Sequence, residues 1–113
     1  MPILTPNYAN ISHEDMANAI GLNIKHIPIL LNSFLQETPS ILKALEEVIN
    51  EKNYSGIKKH SHGLKGSAGN LRLNEIYEMS KELESAASEA NRDFEYEVYL
   101  QAIKDAVATI SSD

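Results

Sequence analysis

Two histidines and three glycines fall within the twelve residues His60 to Leu71, HSHGLKGSAGNL. Near neutral pH an imidazole can act as a nucleophile, a proton carrier or a metal ligand, and spacing separates these roles. Apolar residues on both sides of the stretch recur at helical intervals, so the pair is placed on a helix. With Ile57 as the core direction and about 100° per residue, Leu64, Ala68 and Leu71 fall within about 40° of it. His60 then lies about 60° away, at the edge of the core stripe, and His62 about 140° away, facing out. Two histidines at i, i+2 do not share a face, whereas helical metal ligands usually sit at i, i+3 or i, i+4. No cysteine or carboxylate nearby in the sequence completes a site, so no metal is expected. His60 reads as a partly buried helix histidine, a common state for this residue. His13 and His26 are isolated and are assigned nothing.

His62 has a specific helical neighbourhood. Lys58 and Lys59 precede it by one turn, and Lys65 and Gly66 follow by one turn. Ammonium groups disfavour the imidazolium and favour the neutral ring, whose free lone pair is nucleophilic. The same cations would hold a dianionic phosphoryl group once it arrived. Gly66 clears space over the ring. Each glycine costs about 1 kcal/mol relative to alanine inside a helix. Gly63, Gly66 and Gly69 all point away from the aliphatic stripe, which suggests close docking by another protein. The alternative is close approach of a neighbouring helix, as in small-xxx-small patterns. GLKG matches the GxxG loop of KH-type RNA binders, but that fold needs strands and this chain is acidic and helical. GxxxxGK[ST] and GxGxxG are not present.

The elements that must hold His62 follow from the rest of the 113 residues. This length suits one small domain with one modest core. There is no cysteine, which removes disulfides and thiolate metal sites. No apolar run is long enough to cross a membrane, and MPILTPNYANIS lacks the basic-then-apolar pattern of a secretory signal. The net charge of −6 argues against nucleic acid and anionic membrane as partners. From Ser55 to Arg72 there are four cations and no acid, so His62 sits in the one clearly basic part of an acidic chain.

Residues 1–11 read as extended or weakly ordered chain. A short helix is expected from Ser12 to about Ile20, capped by Ser12 and stopped by Gly21. A long helix follows from Ile24 or Pro28 to Asn50, with Ile27, Leu31, Phe34, Thr38, Ile41, Leu45 and Val48 inward and a bend at Pro39. A third runs from Tyr54 to Leu71. Asn74 can cap a fourth, with Ile76, Met79, Leu83, Ala86 and Ala90 inward. Asp93 can cap a fifth, with Tyr96, Tyr99, Leu100, Ile103, Val107 and Ile110 inward. Strand signals are almost absent. The expected fold class is all-α: an antiparallel up-down four-helix bundle with a short additional N-terminal helix, as a single domain over residues 1–113.

HGLKGSAGNL, His62 to Leu71, resembles the phosphoacceptor motif of histidine-containing phosphotransfer (HPt) domains, roughly H-x-L-K-G-S/A-A/S followed by a small residue and a leucine. FLQETPSILKAL and LNEIYEMSKELESAA resemble the helices before and after the phosphohistidine helix of that family. The resemblance implies His62 as the phosphorylated residue, through Nε2, with Lys65 as the cation beside the phosphate and Gly66 as the small residue that opens the site. Lys58, Lys59, Gly63, Gly69 and Arg72 are then candidates for partner docking, with exposed apolar residues of the long second helix. The family often has glycine where Arg72 stands, and usually no histidine where His60 stands.

The resemblance further implies a phosphorelay intermediate that exchanges a phosphoryl group with the aspartates of receiver domains. It is not an enzyme alone. It carries no cofactor of its own, and Mg2+ is expected in the partner receiver domain. The expected partners are receiver domains of response regulators or hybrid sensor kinases. Nucleic acid and membrane are not expected as partners, a cytoplasmic location is expected, and monomer is the default state. The competing reading is a helical adaptor bundle whose histidines are never phosphorylated.

Overall fold

The computed structural model describes residues 3–111. Five α-helices form among them, with no strand: α1 (His13–Ile20), α2 (Ile27–Asn50), α3 (Tyr54–Asn70), α4 (Asn74–Ser88) and α5 (Tyr96–Ala108). A short 3-10 turn, Ile24–His26, leads into α2. Short loops fold α2 to α5 back on one another. The closest pairing is α3 with α4. α2 packs on α3, and α5 closes the bundle against α2 and α4.

Local chemistry sets most helix ends. The Ser12 hydroxyl accepts from the Asp15 N–H at 3.1 Å, and the Asn53 side chain accepts from the Gly56 N–H at 3.0 Å. Gly21 ends α1 in the left-handed region, at φ 84°. Three later helix ends use the same closure without glycine. Lys52, Arg72 and Ala90 take φ values of 55°, 59° and 50°. The next residue in each case bonds back to a carbonyl five positions earlier: Asn53 to Val48, Leu73 to Ala68, Asn91 to Ala86.

Several sequence expectations need correction here. Ala90 is not inward: it is exposed and occupies the left-handed position after α4. Asn74 and Asp93 do not cap helices. Leu73 is at once the closing residue of α3 and the residue before α4, and Glu95 precedes α5, neither with a side-chain cap bond. In α2, Leu42 and Ile49 are buried while Ile41 and Val48 lie half-buried at the flank. The expected stripe advanced 3.5 residues per turn after Thr38, whereas a straight helix keeps 3.6 and moves the buried row one residue on. Val107 is likewise half-buried, with Ala102 and Ala106 inside. α2 runs unbroken through Pro39, although Pro39 has no N–H for the carbonyl one turn back.

Residues 3–11 carry no helix, and Tyr8 ties them down. Its N–H donates to the Thr109 hydroxyl at 2.8 Å, and its hydroxyl donates to Glu75 Oε1 at 2.9 Å. Ile3, Leu4 and Ile11 pack on the core beside it. Residues 1 and 2 of the stretch expected as extended or weakly ordered lie outside the described residues.

Candidate functional site

α3 places its side chains as the 100° rotation requires. Ile57, Leu64 and Ala68 are buried on one side, with Ser61 among them. His60 is half-buried. His62 projects outward, its side chain 68% exposed.

The structure adds a residue that the sequence reading missed. Glu84, on α4, reaches across to α3. Its Oε2 lies 2.8 Å from His62 Nδ1, and its Oε1 lies 2.6 Å from Lys65 Nζ. The expectation that no carboxylate stands near the histidines is therefore corrected. It considered neighbours along one helix, and Glu84 arrives from the next. A signal was available: folding α3 and α4 back about the loop at Arg72 brings position 62 level with about position 82, within one turn of Glu84.

The carboxylate fixes what the imidazole can do. Glu84 is held below the ordinary carboxylate value, first by its hydrogen bond with Lys65 and then by that with His62. An ionised Glu84 only accepts, so a neutral His62 bonded to it carries its proton on Nδ1. That leaves the Nε2 lone pair unprotonated. The Lys65 ammonium is held above its ordinary value by the same bond with Glu84.

The glycines divide. A Cβ on Gly63 or Gly66 would meet nothing within 4 Å, so the fold does not require glycine at either place. Gly69 departs from the outward placement expected of it. It is half-buried, and a Cβ there would lie 3.1 Å from the Tyr77 ring of α4. Helix approach explains Gly69, and for this residue the alternative weighed above holds. Lys58 and Lys59 are exposed beside a groove of about 410 Å³ that they line with Ser55, His62 and Glu84. Arg72 is exposed, but its guanidinium folds back to donate to the carbonyls of Gly69 at 3.0 Å and Ala19 at 3.5 Å. It links the ends of α3 and α1. Its left-handed backbone, at φ 59°, is a conformation that glycine adopts most readily.

On the other flank of α3 a groove of about 470 Å³ lies between α1, α2 and the end of α3. Leu22, Leu30, Phe34, Ser67 and Leu71 are among its lining residues. Leu22 and, nearby in sequence, Ile24 and Ile29 are large apolar side chains left exposed. Of these three, Ile29 alone lies on α2, the helix on which exposed apolar docking residues were expected. Among the described residues no group of three or more His, Cys, Asp or Glu could hold a metal ion, and no helix is long and apolar enough to cross a membrane.

Neither a curated protein nor a solved structure matches the chain. A family model described as the Hpt domain matches residues 29–113, from the start of α2 through α5. The match contains His62, Lys65, Gly66 and Glu84, and the helical bundle around them is the architecture of that family: the chain belongs to the Hpt, or histidine-containing phosphotransfer, domain family.

Proposed function

We propose that His62 is the phosphoacceptor of a phosphorelay intermediate, taking a phosphoryl group from one receiver-domain aspartate and passing it to another. One observation carries the reading: Glu84 engages Nδ1 of an otherwise exposed imidazole and leaves Nε2 free. The Nε2 lone pair attacks phosphorus, the P–O bond to the aspartate breaks, and the electron pair stays on the released carboxylate. The Nδ1 proton stays in place beside Glu84, so neither direction of transfer waits for a proton. Return to an aspartate expels neutral imidazole. Lys65 neutralises the phosphoryl oxygens. Gly63 and Gly66 let the receiver backbone approach, Lys58 and Lys59 meet its acidic surroundings, and the groove at Leu22 and Leu30 takes its apolar contact. The magnesium ion belongs to the receiver. The chain acts as a phosphocarrier in the cytoplasm, and as a monomer.

The test mixes phosphorylated receiver domains with the wild-type protein and with His60→Gln and His62→Gln. Acid-labile label is expected on wild type and His60→Gln and absent from His62→Gln. Loss in His60→Gln alone would move the site to His60. No label from any of a panel of receivers would favour the adaptor reading.

A further inference from the structure

We propose that the negative charge of Glu84 sets how long a phosphoryl group stays on His62, because Glu84 and the phosphoryl group compete for Lys65. This rests on the phosphoacceptor reading above and deepens it.

Glu84 does two separable things. Oε2 engages the imidazole at 2.8 Å, and Oε1 holds the Lys65 ammonium at 2.6 Å. The first needs only a hydrogen-bond acceptor, which a neutral amide oxygen also supplies, though more weakly. The second needs charge. Among the described residues, the ion pairs of His62 and of Lys65 are those with Glu84. In the resting protein Lys65 is therefore already neutralised, and it is not free to wait for a phosphoryl group. Phosphorylation at Nε2 adds a dianion on the far side of the ring. One ammonium then faces two anions.

The carboxylate draws away the cation that would otherwise hold the phosphoryl group. As the P–N bond breaks its electron pair returns to the ring and the phosphoryl group falls from dianion towards monoanion, so an ammonium held on it stabilises the bound state more than the transition state. Glutamate at this position makes a phosphohistidine that gives up its group readily, as suits a relay. A neutral residue of the same shape would leave Lys65 to the phosphoryl group and make a longer-lived store. Glu84's hold on that ammonium, at solvent-exposed dielectric, corresponds to a change of about threefold to tenfold in lifetime. Glu84 touches no phosphoryl atom and is a positioning residue that acts through His62 and Lys65.

The test needs no receiver. Phosphoramidate, protonated on nitrogen, phosphorylates Nε2 as its own P–N bond breaks and ammonia leaves. The phosphohistidine of the intact protein is then followed by phosphorus NMR in wild type, Glu84→Gln, Lys65→Met and the double variant. The expected result is a phosphohistidine about threefold to tenfold longer-lived in Glu84→Gln than in wild type. The gain should shrink when Lys65 is methionine. Equal lifetimes in wild type and Glu84→Gln, or a gain undiminished without Lys65, would overturn the proposal and leave the phosphoacceptor reading standing. Phosphate on His13, His26 or His60 with none on His62 would overturn both.

Discussion

At the scale of single residues, one carboxylate links two side chains of different charge type, and acid and base act on it in opposite senses. Glu84 is held below the ordinary 4.5, first by the hydrogen bond with Lys65. The folded protein binds fewer protons there than the unfolded chain does. Its contribution to stability is complete above the ordinary value and is lost as pH falls through the lower folded value. Lys65 is held above its ordinary 10.5 by the same bond, so its contribution is complete below that value and is lost as pH rises through the higher folded one. We expect the urea midpoint of the wild type to fall at both limits. In Glu84→Gln the fall over these two ranges should be smaller. Equal slopes in the two proteins would show that the bridge makes no contribution in solution.

At the scale of elements, α3 carries glycines of two kinds, and substitution separates them. Gly63 and Gly66 have open space where a Cβ would go. Alanine at either should raise stability by about 0.8–1 kcal/mol, the ordinary gain over glycine inside a helix. If these positions admit a receiver, the same substitutions should slow phosphoryl transfer while the His62 and Glu84 bond survives. Gly56 is the opposite case. A Cβ there would lie 2.7 Å from Val48 Cγ1 of α2 and 3.1 Å from its Cβ, and valine is stiff about χ1. Gly56→Ala should cost about 1–3 kcal/mol as the α2–α3 contact shifts. Thermal unfolding of the three single variants, set beside their transfer rates, checks the division. A stabilised Gly66→Ala protein that transfers at the wild-type rate would remove the docking explanation for that glycine.

At the scale of the whole molecule, Tyr8 closes the bundle from outside it. The residue lies outside the matched family region, yet it ties residues 3–11 to the start of α4 through Glu75 and to the end of α5 through Thr109. Burial, and then the bond and charge of Glu75, push the phenol well above its ordinary 10.0. The raised value means that its contribution is complete below 10.0 and is lost as pH rises through the folded value. Tyr8→Phe removes two hydrogen bonds, the one its hydroxyl donates to Glu75 and the one it accepts from the Ile76 N–H, and should lower stability by about 1–3 kcal/mol near neutral pH. The variant should also lose part of the wild type's alkaline sensitivity. A urea midpoint unchanged by Tyr8→Phe would show that the strap adds nothing to the bundle.

The sequence by itself determined the helices and the outward face of His62, because both follow from a 3.6-residue period that is written locally. Ile57, Leu64, Ala68 and Leu71 fix the inward side of α3, and His62 falls opposite whatever the neighbours are. The GLKG run beside it carried the resemblance to the family that the matched region bears out. Tertiary structure decided three things: which residue within a turn of position 82 meets His62 and Lys65, that Gly69 serves the α3–α4 contact, and that Ala90 turns a corner instead of filling the core. Each depends on how one helix lies against the next or on where the chain leaves a helix. Periodicity fixes the phase of a side chain around its own axis, but it says nothing of the register between axes, and the carboxylate that orients the imidazole is supplied by that register.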